Sequence, residues 1–233
     1  PAMGIGNFFG LLPEGMSTSR LYGVELDDIS GRIAKLLYPD ADIHITGYEK
    51  VDFQNDFFDL AVGNVPFGQY QVNDPEYNKL GFSIHNYFIA KTLDQVHPGG
   101  ILAFVTSRYT MDSQNTDVRE YLSQRADLLG AIRLPNNAFK ANANTDVVSD
   151  ILFLQKRDTS SVLEWVQTAE NEDGFLVNSY FLTHPDMVLG KETSESTQYG
   201  QDYTVVPIPG ADLAGQLQKA VSLVSGTYQE AVL

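Results

Sequence analysis

The chain has 233 residues, 43% hydrophobic and 19% charged, with 30 acidic against 15 basic side chains and a net charge of −15. That balance excludes a chain that grips nucleic-acid phosphates through its own charge, and no run of about eighteen apolar residues marks a transmembrane helix. With no cysteines there is neither a disulfide framework nor a thiolate metal site, and a reducing, cytoplasmic setting is the expectation.

Strand and helix signals alternate from the start. The first ten residues form a glycine-rich loop with no strand before it, so the chain reads as a fragment of something longer. Leu21 to Leu26 reads as a strand ending in acids. Ile29 to Tyr38 carries apolar residues at helical spacing and is stopped by Pro39-Asp40. Ile43 to Gly47 is a short strand and Phe58 to Val62 a buried one. A helix over Ile84 to Val96 is stopped by Pro98-Gly99-Gly100, and a central strand follows at Ile101 to Thr106. Asp117 to Leu128 reads as a helix. Leu129 to Leu134 and Ser149 to Gln155 are two strands joined by a loop too short for a crossover helix, which makes the last strand antiparallel. From Thr159 the pattern weakens: Lys191 to Asp202 reads as a polar loop and Asp212 to Val224 as an amphipathic helix. The expected fold is α/β, a doubly wound sheet, mostly parallel with one antiparallel strand and with the first strand absent. Residues 1–158 would form the main domain and 159–233 an acidic extension or linker. The three segments 1–70, 71–158 and 159–233 carry net charges of −6, −1 and −8, so the middle is the least hostile to nucleic acid.

Four segments fall after strand ends or at glycine turns, where such sheets bind ligands. Pro1-Ala2-Met3-Gly4-Ile5-Gly6-Asn7-Phe8 lets the backbone turn tightly against a ligand. Glu25, nineteen residues after Gly6, is placed to accept both hydroxyls of a ribose. Asp52-Phe53 offers an acid and a ring for an adenine. Asn64-Val65-Pro66-Phe67 puts an amide oxygen, a backbone carbonyl and an aromatic face together, a layout suited to a flat, amino-bearing base. The four histidines show no metal-ligand spacing, and no metal is expected.

In that order the segments resemble the amino-methylating (adenine-N6) DNA methyltransferases, with closest likeness to Type I restriction methylase subunits and to the methylase domain of methylase–helicase proteins of phages and mobile elements. The likeness spans residues 1–158 and implies a Rossmann-like methyltransferase fold, S-adenosyl-L-methionine as cofactor and a bacterial or phage setting. It implies cofactor contacts at Pro1, Ala2, Gly4, Gly6, Phe8, Glu25, Asp52 and Phe53, and catalysis at Asn64, Val65, Pro66 and Phe67. Phe67 and Phe139 would bind the substrate base. Two departures stand out: Val65 replaces the first proline of the catalytic motif, and the acid that leads the first cofactor motif would precede Pro1. The implied partner is DNA, recognised largely by another domain or subunit, with a helicase or specificity domain in the parent protein. Methylation of RNA or of a protein amide, or a non-catalytic module of the same fold, are the competing readings.

Overall fold

A computed structural model describes residues 1–140, 147–159, 164–198 and 200–231. The chain opens with a one-turn helix α1 (Asn7–Gly10), then strand β1 (Tyr22–Glu25), helix α2 (Asp28–Leu37) and strand β2 (Asp42–Ile45). Strand β3 (Phe58–Asn64), helix α3 (Ile84–Gln95) and the long strand β4 (Val96–Ser107) follow. Then come α4 (Tyr109–Asp112), α5 (Asp117–Ser123), β5 (Ala126–Leu134) and β6 (Ser149–Lys156). The remainder holds β7 (Thr168–Glu170), β8 (Leu176–Asn178), α6 (Ser179–Thr183), the hairpin β9 (Lys191–Thr197) and β10 (Gly200–Val206), and α7 (Leu213–Val221).

Local chemistry accounts for the key boundaries. Asp27 caps α2 by accepting from the Ser30 amide at 2.8 Å, which satisfies one of the otherwise unpaired first-turn donors. Gly31 lets this helix lie close on β2, because a Cβ there would come within 2.8 Å of the Ile45 side chain. Helix α3 is buried on nearly every side: ten of its residues, from Ile84 to Gln95, are shielded from solvent. Such a helix belongs between layers, not at a surface.

The main sheet runs β3-β4-β6-β5. β3 and β4 are parallel, and β6 is antiparallel to both β4 and β5. β6 is therefore the single reversed strand, and β3, β4 and β5 share one carboxyl edge. β1 and β2 pair in parallel as a separate two-stranded unit. Among the described residues no strand lies between β1 and β3, and a groove of about 360 Å³ runs between them, lined by Tyr22, Gly23 and Val24 on one side and Phe58 to Val62 on the other. The fold is the α/β arrangement expected from the sequence, with a mixed and mostly parallel sheet.

Three expectations are corrected. The helix from Asp117 ends at Ser123, not Leu128, because Ala126 to Leu128 pair with β6 as the start of β5. Pro98-Gly99-Gly100 does not separate helix from strand but lies within β4. Lys191 to Asp202 is not a loop: it forms most of the antiparallel hairpin of β9 and β10.

Residues beyond 158 pack on the sheet: Trp165, Phe181, Met187, Leu189 and Ala220 share one core with Leu102, Phe104 and Leu152. A buried charge cluster reinforces this joint. Arg133, fully buried, makes two 2.8 Å hydrogen bonds to Asp150 and lies 2.8 Å from Asp112. Arg108, beside it, reaches Asp202 of β10 at 2.8 Å. Paired in this way, four charges leave water without any of them standing alone.

Candidate active site

β3 delivers Asn64 to the carboxyl edge of the sheet, in register with Val105 of β4. The pleat decides which side chain faces where. Val65 is buried, with its N–H donating to the Val105 carbonyl at 3.1 Å, whereas Asn64 is exposed. Among the described residues no group hydrogen-bonds the Asn64 amide. Pro66 is half-buried, and Phe67, also half-buried, rests on the main core. A proline in place of Val65 would remove the N–H that it uses here.

The first residues cross from β1 to β3. The Met3 N–H donates to the Val24 carbonyl at 3.0 Å, and the Pro1 carbonyl oxygen lies 3.3 Å from where a Cβ on Gly63 would sit. The carboxyl ends of β1 and β3 are thus brought to one edge by three residues. The turn that follows needs left-handed backbone: Gly4 has φ +57° and Gly6 φ +91°, and even Ala2 sits at φ 52°. A non-glycine residue in that region stores backbone strain, a feature that concentrates at functional sites. A Cβ on Gly6 would collide with the Tyr38 ring at 2.5 Å, whereas one on Gly4 would project into open space.

Glu25 closes this turn. One carboxylate oxygen accepts the Gly4 N–H at 2.7 Å and the other the Asp27 N–H at 2.8 Å. Each oxygen has a further lone pair for a hydroxyl donor. Gly4 and Glu25, chosen separately from the sequence, are thus direct partners. Pro1, Phe8 and Phe53 line the groove beside β1 and β3. The Phe53 ring packs edge-on against Tyr22, His44 and Phe58 at centroid distances of 6.0, 5.3 and 5.1 Å, while the neighbouring Asp52 is exposed. Phe139 lies just beyond the carboxyl end of β5, half-buried against the core. β4 and β6 separate its strand from that of Asn64.

Sequence reasoning did not single out the groups beneath the Asn64 loop. His85, in the first turn of α3, is 1% exposed. Burial pushes its imidazole down to about 4, against an opposing hydrogen bond with the Gly68 backbone, so the ring is neutral near pH 7. Ser83 Oγ lies 3.1 Å from its Nε2. Two turns along the same helix, Lys91 is buried and ion-paired with Asp74 at 2.9 Å. The signal was weak: Lys91 stands among Tyr87, Phe88, Ile89, Ala90 and Leu93, and a lysine on such an apolar stretch needs a partner where it is buried.

A comparison with protein families matches residues 14–204 to the N-6 DNA Methylase model, and the chain belongs to that family. Among characterised relatives it is similar to the "Defense against restriction protein B" of Escherichia phage P1, 33% identical over 163 residues. That match covers 67% of this chain and 7% of the phage protein. Among solved structures it is similar to the Type I restriction enzyme EcoKI M protein, with a TM-score of 0.54 and 14% identity over 96% of this chain and 66% of that one. A Vibrio vulnificus YJ016 protein assigned as a modification subunit of a type I restriction enzyme gives a TM-score of 0.55 and 16% identity, over 89% of this chain and 53% of its own. A Listeria monocytogenes protein assigned as a class I S-adenosylmethionine-dependent methyltransferase gives 0.51 and 23% identity, over 70% of this chain and 55% of its own. At these identities the structures establish the fold, that of the class I methyltransferases. Among the described residues no helix is long and apolar enough to cross a membrane.

Proposed function

We propose that this chain is the catalytic part of a larger protein that transfers a methyl group from S-adenosyl-L-methionine to the exocyclic amino group of adenine in DNA. One observation carries the reading furthest: the exposed Asn64 amide and the Glu25–Gly4 turn share one edge of the sheet, joined by residues 1–3. Family membership supports the same reaction.

The cofactor fits the residues present. Gly4 leaves open space where a side chain would stand, and Glu25 holds both carboxylate oxygens at the turn with lone pairs to spare. Pro1, Ala2, Gly4, Gly6 and Phe8 would form the backbone cradle, Glu25 would take the ribose hydroxyls, and Asp52 with Phe53 would meet the adenine. When bound, the sulfonium supplies an electrophilic methyl group.

The chain's own contribution is positioning. An aromatic amine is a poor nucleophile because its lone pair is spread into the ring. The Asn64 Oδ1 and the Val65 carbonyl would accept hydrogen bonds from its two N–H groups and aim the nitrogen lone pair. Pro66 stiffens this turn, and Phe67 offers its face to the base and to the positive charge that develops. Phe139 would stack on the far side of a base that has left the duplex. With a net charge of −15, most of the grip on DNA belongs to another domain or subunit, such as a specificity or helicase domain in the parent protein.

The test is transfer of labelled methyl groups to DNA, followed by nucleoside digestion. N6-methyladenine as product, abolished by Asn64→Ala with cofactor affinity within about twofold of wild type, supports the assignment. Equal turnover by the variant removes the role given to Asn64. Label in RNA or protein in place of DNA changes the substrate class.

A further inference from the structure

The loop after Asn64, residues 65–83, is long for a connection in a compact domain, and loops of that length are usually functional or disordered. Here it is fastened from within. The Ile84 N–H donates to the Tyr70 carbonyl at 2.8 Å, and the Gln71 side-chain amide to the Gly81 carbonyl at 3.0 Å. At its centre Asp74 turns inward and is 5% exposed. Asp74 Oδ2 accepts from the Tyr87 hydroxyl at 2.7 Å and from Lys91 Nζ at 2.9 Å, and Oδ1 from the Glu76 N–H at 3.2 Å. Burial works to raise the Asp74 pKa, but the hydrogen bonds from Lys91 and Tyr87 outweigh it, and the carboxyl sits below its ordinary value.

Lys91 also faces the other half of the site. Its ammonium lies 5.1 Å from the centroid of the Tyr48 ring. Tyr48 is locked in turn, its hydroxyl 2.9 Å from Thr92 Oγ1 and donating to Gln95 Oε1 at 2.6 Å. Tyr48 opens the short turn Tyr48–Lys50 that leads into Asp52 and Phe53. One buried cation therefore touches both the segment proposed to hold the cofactor's adenine and the loop proposed to hold the base.

We propose that Lys91 is a positioning residue: through Asp74 it fixes the loop carrying Pro66 and Phe67, and through Tyr48 it sets that loop against the segment carrying Asp52 and Phe53. The inference rests on the methyl-transfer reading. Its energetic logic is that a buried ion pair is poor value as a stabiliser, since an apolar replacement often does as well, but good value as a device that fixes one arrangement. Lys91 touches no reacting atom. It acts through where the loop stands, and a misplacement of about 1 Å at a reacting centre costs up to about a hundredfold in rate.

The experiment compares wild type, Lys91→Met, Lys91→Arg, Asp74→Asn and the double variant Lys91→Met/Asp74→Asn. Each is measured for thermal midpoint, cofactor affinity by calorimetry, kcat and KM for methyl transfer, and amide hydrogen exchange across residues 65–83. Lys91→Met and Asp74→Asn each strand a buried charge and are expected to unfold at lower temperature. The double variant removes both charges and is expected to recover the midpoint and bind cofactor within about twofold of wild type. Its kcat stays at least about tenfold down, and its loop amides exchange faster while those of β3 and β4 do not. Lys91→Arg, which keeps the charge, is expected to restore kcat in part. A double variant with wild-type kcat and wild-type loop exchange overturns the proposal and makes the pair a fold element only. If the wild type transfers no methyl group to DNA, the function reading fails by itself, and the exchange comparison still decides whether the pair holds the loop.

Discussion

His85 offers a sharp test of how the loop under Asn64 is built. It is 1% exposed, and burial lowers its pKa from 6.5 to about 4. The folded chain thus binds fewer protons here than the unfolded chain between those two values. Stability from this group is complete above the unfolded pKa and is lost as the pH falls from 6.5 toward 4. With these two pKa values, acidifying from about pH 7.5 to about pH 5 withdraws roughly 2 kcal/mol through this one side chain. For a chain of this length that is roughly 4–8 °C in Tm. His85→Gln keeps a polar side chain of similar reach but does not titrate, so it should lose roughly 2 kcal/mol less than wild type over the same interval. The assay is urea unfolding followed by circular dichroism, run on both proteins at both pH values with m-values compared. Carboxylates that titrate in the same range contribute equally to both chains and cancel in the difference. If wild type and His85→Gln show the same pH dependence within about 0.5 kcal/mol, the imidazole is not desolvated as its burial requires and the reasoning fails.

Further expectations concern the turn and the buried charges. Gly6→Ala puts a Cβ 2.5 Å from the Tyr38 ring at φ +91°. It should destabilise the chain by about 1–3 kcal/mol and weaken cofactor binding, both readable in one calorimetric series. Glu25→Gln leaves an amide that cannot accept both backbone N–H groups through two oxygens; cofactor affinity should fall at least about tenfold, and unchanged affinity would remove Glu25 from the ribose site. Arg133→Met strips Asp150 of its ion-pair partner and leaves Asp112 with Arg108 alone, and should cost about 3–5 kcal/mol in chemical denaturation. Val65→Pro deletes the N–H that meets the Val105 carbonyl and should cost about 1–3 kcal/mol, less any gain from a stiffer loop.

What the sequence disclosed, it disclosed through local signals. β1, α2 and β2 follow from apolar spacing bounded by Asp27 and Pro39, and Asn64 was placed at a strand end by the apolar run before it. The antiparallel course of β6 followed from a connecting loop too short to cross over. What stayed hidden depended on partners far along the chain. Val118, Tyr121, Leu122 and Leu128 keep helical spacing, yet Ala126 to Leu128 leave the helix because Lys156, Gln155 and Leu154 offer them a strand to pair with. The β9–β10 hairpin carries no alternating pattern: among its described residues only Tyr203, Thr204 and Val205, three in a row, are buried. The buried ions are the deeper case. Arg133, Asp150, Lys91 and Asp74 look like solvated residues one at a time and become legible only as pairs, 17 residues apart in both instances. The Lys91–Asp74 pair joins a core helix to the loop after Asn64, whereas Arg133–Asp150 joins two strands of the sheet, β5 and β6. The charges of the middle region, which balance to −1, are therefore partly committed inside the fold. Under the proposed function, that commitment leaves this chain to hold the reacting groups in place and assigns long-range attraction of the polyanion to another domain or subunit.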